Sequence, residues 1–244
     1  MCTLTFIPNK NDSILLAMNR DESRSRAKAC NPVVFNRDGV IVTHPFEPST
    51  GTWVSTNSFG VSFALLNWYS VSNDIEIKSP RSRGFLVKDI STSRSPSGTE
   101  ERLLLETLQQ TMPFRLVGFF PTTREIVEWR WNGFKLENLD FQWEQNMWAS
   151  SGFNEPVAQR KRRITLENLE HPKDVSTTQF LRNFHSSHEP EPGPFSVCMH
   201  REEAETLSYT EIETNNEISE LRYFPGPLCR NPKATVKQVK ISNI

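Results

Sequence analysis

Strand-like segments in antiparallel hairpin order, broken by two pairs of helical segments, limit the fold of this sequence more than any other feature. Apolar or alternating runs suited to strands cover residues 2–7, 13–18, 33–35, 40–43, 52–56 and 61–67, with Ser58-Phe59-Gly60 as the turn between the last two. Ser79-Pro80 starts an expected helix to Ile90, serine as cap and proline at the first helical position. Ser91 to Gly98 is rich in serine and lacks apolar residues, so it reads as a flexible loop, and Thr99 caps a second helix through Thr111. Strands are expected at 114–120, 125–131 and 134–136, the last after an Asn132-Gly133 hairpin turn, and a short one at 146–151. The second helix pair runs from Asn154-Glu155-Pro156 to Glu170 and from Ser176 to Ser186, and a proline-rich loop covers His185 to Pro194. A three-strand meander at 195–200, 206–213 and 218–224 is closed by Pro225-Gly226-Pro227. Strand runs separated by helix pairs pack as stacked layers rather than as alternating βαβ units. The expected fold is therefore α+β, a four-layer αββα sandwich of two antiparallel sheets, with residues 1–244 forming one domain.

Composition removes several classes of function. A net charge of −1 gives no global attraction to nucleic acid or anionic membrane. No apolar run approaches the ~20 residues of a membrane span. The start lacks the basic and long apolar regions of a signal peptide, so a cytoplasmic address is expected. Cys2, Cys30, Cys198 and Cys229 contain no C-x-x-C pair, and in a reducing compartment they read as thiols rather than as disulfides or a zinc site. Neither a metal nor a cofactor is expected. The chain also lacks a phosphate-cradling glycine loop, H-E-x-x-H and G-x-S-x-G.

The N-terminal hairpin carries the chemistry. Cysteine is small enough at position two for the initiator methionine to be trimmed, which would leave Cys2 with both a thiol and a free α-amine. Thiols titrate near ~8.5 and α-amines near ~7.7–8.0, so one residue can supply nucleophile and base. Pro8-Asn9-Lys10-Asn11-Asp12 is turn chemistry, and a register that sets Ile7 near Ser13 sets Cys2 near Met18. Asn19-Arg20-Asp21-Glu22 then emerges beside Cys2: Asp21 can hold the amine or orient a substrate, and Arg20 can lower the thiol pKa or hold a carboxylate. The same four residues would also suit a solvated loop of charge pairs. Asn67 ends an apolar strand, where its amide can donate to an oxyanion or simply form a turn. Ser150 and Ser151 could add a polar wall, while Asn154 reads as a helix cap. Arg160-Lys161-Arg162-Arg163 reads as a solvated helix with its charges spread around it. Cys198 and His200 have the same-face spacing of a strand, which a soft metal could use, although a buried cysteine beside a packed histidine is the commoner arrangement.

Met1-Cys2-Thr3-Leu4 followed by Asn19-Arg20-Asp21-Glu22 resembles the NRDE family, also called the Transport and Golgi organisation 2 (TANGO2) family. Thr50-Gly51-Thr52-Trp53, Phe63 to Asn67, Ser82-Arg83-Gly84, Ser150-Ser151, Cys198-Met199-His200-Arg201 and Ser208-Tyr209-Thr210-Glu211 extend the resemblance along the chain. That family is similar to N-terminal-nucleophile hydrolases, in the cysteine branch with bile salt hydrolases and penicillin V acylases. The resemblance implies an αββα sandwich, Cys2 as nucleophile with its own amine as base, and Arg20 and Asp21 in the active site. It implies an oxyanion role for Asn67 and makes Asn19, Ser151 and Arg201 candidate substrate or oxyanion contacts. Ser151 stands where the branch has an asparagine, and a hydroxyl is a less fixed donor than an amide. Two functions are carried forward. One is hydrolysis or acyl transfer on a small acyl, amide or lipid-like substrate. The other is binding or trafficking of a lipid, acyl-CoA or haem in the same cleft without turnover. A homo-oligomer is left open.

Overall fold

The computed structural model describes residues 1–9, 13–49, 51–71 and 77–242, so the Lys10-Asn11-Asp12 part of the first turn and Thr50 lie outside the described residues. The strands in chain order are β1 (Cys2–Pro8), β2 (Ile14–Ser23), β3 (Cys30–Arg37), β4 (Val40–Phe46), β5 (Val54–Asn57), β6 (Ser62–Asn67), β7 (Phe114–Phe120), β8 (Glu125–Trp131), β9 (Leu136–Phe141), β10 (Asn146–Ser150), β11 (Ala204–Thr214), β12 (Ile218–Phe224) and β13 (Thr235–Lys240). The helices are α1 (Gly84–Ile90), α2 (Pro96–Glu100), α3 (Leu105–Leu108), α4 (Glu155–Asn168) and α5 (Thr177–Ser186), with a 3-10 turn at Leu228–Arg230. The strands form one sheet in the order β10-β1-β2-β11-β12-β13 and a second in the order β3-β4-β5-β6-β7-β8-β9.

Strand alternation sorts the side chains into three apolar layers. Leu4, Phe6, Leu16 and Met18 of the first sheet meet Val54, Leu66, Val117 and Phe119 of the second between the sheets. Phe6 stacks on Phe119 with ring centroids 5.2 Å apart. Leu15, Ala17 and Tyr209 face outward onto Leu166 of α4 and onto Phe180, Leu181 and Phe184 of α5. Phe63, Leu65, Leu116 and Trp129 face outward onto Leu86, Val87 and Ile90 of α1 and onto Leu103 and Leu108. Helices on both outer faces of two stacked antiparallel sheets make the αββα sandwich that the order of elements predicts. Among the described residues no helix is long and apolar enough to cross a membrane.

Several elements depart from expectation. The first helix begins at Gly84, not Pro80, because the preceding residues are tied down as extended chain. Arg81 bridges Thr111, and the Thr52 N–H donates to the Gly84 carbonyl at 3.1 Å. The helix expected over 99–111 is split into α2 and α3 around an extended Leu104. In one continuous helix Leu103 and Leu108 would stand about 140° apart, whereas the break buries both and leaves Leu104 and Leu105 exposed. Ser95, not Thr99, caps α2 by accepting from the Gly98 N–H at 3.1 Å. Ser91 to Ser93 are buried rather than loose, since the Asn57 amide donates to the carbonyls of Ser91 and Ser93, each at 2.9 Å. The strand at 134–136 is displaced to Leu136–Phe141, after a turn in which the Asn132 side chain accepts from the N–H groups of Phe134 and Lys135. Residues 195–200 do not form a strand: the Ser196 hydroxyl bonds back to the carbonyls of Gly193 and Cys198. Past Pro225-Gly226-Pro227 the chain adds β13, a strand beside β12 in which only Val239 is buried.

His185 of α5 is fully buried, and its Nε2 lies 2.8 Å from the Thr5 hydroxyl of β1. Burial, with Arg162 adding to it, pushes the imidazole down to about 3. Its native pKa lies below the ordinary 6.5, so between these values the unfolded chain binds the extra proton and stability rises with pH. Urea titrations should therefore show stability lost as pH falls from 6.5 toward 3, and His185→Gln should flatten the slope over that window. An unchanged slope would remove His185 as the cause.

Candidate active site

The two hairpin strands pair so that Cys2 stands opposite Arg20, two residues beyond the Met18 register expected from the sequence. On its other side Cys2 stands opposite Ser150 of β10. Directly opposed residues share a face of a sheet, and that face looks into the space between the sheets. The run Asn19-Arg20-Asp21-Glu22 is part of β2 rather than a loop, so its side chains alternate. Arg20 lies on the Cys2 face, with its guanidinium 4.5 Å from the centre of the Trp53 ring and paired with Glu47. Glu22 lines the same cavity as Cys2.

That cavity holds about 410 Å³ at one end of the sandwich. Cys2 and Glu22 bound it from the first sheet, Asn67 from the second, Trp53 from the residue before β5, and Tyr69 and Arg83 from the segments beyond. A larger cavity, about 1000 Å³, lies at the far end of β1 beside Pro8 and contains none of the candidate residues. Glu47 is held below the usual carboxylate range: burial alone would raise it, but Arg26 at 2.7 Å and Arg20 outweigh burial. The Arg83 Nη1 donates to the Pro113 carbonyl at 3.0 Å, and among the described residues Arg83 forms no ion pair. Burial pushes the Cys2 thiol above its ordinary value, against the neighbouring amine and Arg20. The Met1 amine donates to the Asp21 carbonyl at 2.8 Å. Burial opposes its charge, but Cys2, Tyr69, Asp21 and Glu22 outweigh burial and raise it.

Asn19 and Asp21 project to the opposite face, under the helices. The Asn19 amide donates to the carbonyls of His185 and Val197, both at 2.9 Å, which ties β2 to the segments above it. The Asp21 carboxylate accepts from the Thr206 hydroxyl at 2.7 Å and faces Arg162 at 3.5 Å. Arg162 is fully buried, and its Nη1 also donates to the Thr3 hydroxyl at 2.8 Å and to the Cys2 carbonyl at 3.3 Å. The expectation of a wholly solvated basic run in α4 is thus corrected. Glu155, Ala158, Arg162 and Leu166 form the buried stripe of the helix, and their spacing of three to four was the available signal.

Of the remaining candidates, Asn67 reaches the cavity, where its Nδ2 donates to the Tyr69 hydroxyl at 2.7 Å and keeps a second N–H for another acceptor. Ser150 faces the Cys2 side with a buried hydroxyl that has no partner among the described residues. Ser151 lies just past β10, and its hydroxyl bonds the Phe153 carbonyl at 3.0 Å and the Met1 sulphur at 3.4 Å. Arg201 stands apart from the cavity lining, over the Phe153 ring at 5.3 Å and paired with Glu203. Glu47 and Tyr69 escape sequence reasoning because each sits just outside a strand, and Arg83 is legible only within Ser82-Arg83-Gly84, with no role in the site.

Removing one partner of a buried ion pair leaves the other charge uncompensated. Arg162→Met should therefore cost about 3–5 kcal/mol of folding stability, and adding Asp21→Asn should restore a large part of it. Chemical denaturation of the two single variants and the double variant measures the coupling. Additive losses would show that the pair does not act as a unit.

No curated protein matches the chain. Its fold is similar to that of the C2A mutant of conjugated bile acid hydrolase from Clostridium perfringens, with a TM-score of 0.52 and 12% identity, over 100% of this chain and 97% of that one. It is likewise similar to penicillin V acylase from Agrobacterium tumefaciens, with a TM-score of 0.55 and 10% identity, over 100% of this chain and 87% of that one. At such identities the likeness establishes the sandwich architecture of N-terminal-nucleophile hydrolases and no particular chemistry. The sequence-family model for Transport and Golgi organisation 2 matches residues 1–126, the stretch that holds Cys2, Asn19 to Glu22, Asn67 and Ser82-Arg83-Gly84. With more than half of its length matched and the sandwich in place around those residues, the chain belongs to the Transport and Golgi organisation 2 family.

Proposed function

We propose that this chain is an N-terminal cysteine amidohydrolase or acyltransferase acting on a small amide or thioester. The observation that carries the proposal is the convergence on one cavity of Cys2 from the first sheet and Asn67 from the second, with Arg20 beside Cys2. Loss of Met1 would put a free amine on Cys2 itself. That amine takes the thiol proton, and the thiolate attacks the carbonyl carbon. The second N–H of Asn67 donates to the resulting oxyanion. The ammonium returns its proton to the departing amine or thiol as the C–N or C–S bond breaks, leaving an acyl group on Cys2. Water or an acceptor nucleophile then releases that acyl group. Arg20 stabilises the thiolate, while Asp21 acts from the other face, holding β2 and Arg162 in place. With Met1 present there is no amine on Cys2, so the untrimmed chain would be the binding or carrier form.

Arg83 supports a substrate class. Arg83 lines a polar cavity, which suits an acyl or amide compound bearing a carboxylate or other anion more than a long bare hydrocarbon.

Intact-mass measurement should find Met1 absent, and a panel of amides and thioesters should find turnover that Cys2→Ala lowers by on the order of 10³-fold. Retained Met1, or equal turnover by Cys2→Ala, would overturn the mechanism and leave the carrier reading. For an anionic substrate Arg83→Ala should raise KM roughly tenfold or more, the equivalent of a lost charge-assisted hydrogen bond, with a neutral analogue unaffected. Equal effects on the two substrates would remove Arg83 from recognition.

A further inference from the structure

His188, Cys198, His200 and Cys229 converge away from the candidate active site. One potential ligand atom from each lies within 4.8 Å of all the others. His188 follows α5, Cys198 and His200 precede β11, and Cys229 sits in the 3-10 turn after β12. These are irregular stretches joined by few backbone bonds, among them the Cys198 N–H to the Ser187 carbonyl at 2.9 Å. The sequence spacing matches no familiar zinc pattern, because the turn supplying Cys229 comes from beyond two intervening strands.

The separations among Cys198, His200 and Cys229 are those of three corners of a tetrahedron around a metal, and His188 stands on the fourth side. Zinc–sulphur bonds of ~2.3 Å and zinc–nitrogen bonds of ~2.0–2.1 Å place two thiolates about 3.8 Å apart and a thiolate and an imidazole about 3.5 Å apart. The Cys198 and Cys229 sulphurs are 3.6 Å apart. The His200 Nε2 lies 3.5 Å from the Cys198 sulphur and 3.3 Å from the Cys229 sulphur. The His188 and His200 rings meet edge to face with centroids 5.0 Å apart, and the His188 Nε2 is buried with no partner among the described residues. The outer groups are also in place. The His200 Nδ1, on the side away from the sulphurs, faces the Glu205 carboxylate at 3.6 Å, and Arg230 holds that carboxylate at 2.8 Å. A carboxylate behind a ligating imidazole orients the ring and raises its basicity.

We propose that His188, Cys198, His200 and Cys229 form a structural zinc site. Two thiolates and two neutral imidazoles fill all four positions, so the ion is closed to substrate and its work is to pin the irregular segments to the end of the first sheet. Binding releases two thiol protons to solvent, and nothing is oxidised or reduced.

The full chain, grown with zinc and purified under reducing conditions, should contain roughly one zinc per molecule by elemental analysis. Cys198→Ser and, separately, the half-buried His188→Asn should lower that content at least ~5-fold, while Cys30→Ser keeps it. Replacement by Co²⁺ should give thiolate-to-cobalt charge-transfer absorption with tetrahedral visible bands, lost in Cys198→Ser. Chelation should lower Tm by roughly 5–10 °C in the parent and by much less in His188→Asn. Metal content below ~0.1 per chain after both zinc growth and cobalt reconstitution, equal content in all variants, or a Cys198–Cys229 disulfide in protein from reducing cells would each overturn the site. Circular dichroism of His188→Asn separates loss of ligand from loss of fold.

Discussion

The antiparallel pairing that sets Cys2 opposite Arg20 is the constraint on which the arrangement of this molecule depends. Strand side chains alternate, so a slip of one residue would move Arg20 under the helices and bring Asp21 into the cavity. The register is fixed from both faces. Leu4, Phe6, Leu16 and Met18 must fill the space between the sheets, while Thr3, Thr5, Asn19 and Asp21 must find polar partners under α4 and α5. A protein that places four apolar and four polar groups on opposite faces of one hairpin has little freedom in where its first residues lie. The terminus, ordinarily a place of fraying, becomes a central strand between β10 and β2.

Buried charge reinforces that strand. Arg162 spans from α4 to the Cys2 carbonyl, the Thr3 hydroxyl and the Asp21 carboxylate, so one guanidinium ties a helix to both strands of the hairpin. On the other sheet Glu128 is fully buried and accepts from Arg115 at 2.5 Å and Arg130 at 3.0 Å, and burial, which would raise it, is outweighed by them. Arg115 also donates to the Ala149 carbonyl of β10, linking the second sheet to the first. Such pairs cost desolvation and add little net stability, but each is satisfied in one geometry only, which favours one docking of the layers over its neighbours.

The layer architecture was legible because it rests on the order of strongly patterned segments: antiparallel strand runs broken by two helix groups leave few other ways to bury their apolar faces. Cys2 and Arg20 were legible as neighbours because hairpin geometry places them, whereas a strand end alone left Asn67 as a turn residue or a donor and only the family resemblance set it beside Cys2. What escaped depends on contacts between distant segments. The first helix pair was drawn too long because its residues have helical preference, whereas the bond of Thr52 to Gly84 and the burial of Leu103 with Leu108 decide the outcome. The strand expected at 195–200 has an apolar run, but the backbone there bonds to its own Ser196 and to Ser187. β13 was missed because Thr-Val-Lys-Gln-Val-Lys buries so little that its apolar signal is weak. The two-face division of Asn19-Arg20-Asp21-Glu22 was missed because the run reads as a loop of charges until its strand partners on both sides are known.

Gly84 shows how adaptable the cavity can be. A side-chain carbon there would lie 2.8 Å from the Thr52 nitrogen and 3.0 Å from the Gly51 Cα, so the two backbones touch with no side chain between them. Gly84 and Thr52 both border the cavity. That part of its wall is main chain, whose shape no substitution can enlarge and which any added carbon would push apart. Differences among related chains in what the cavity admits must therefore arise on the walls that carry side chains, at positions such as Asn67, Tyr69 and Arg83. The closed side would keep the same contour whatever the occupant.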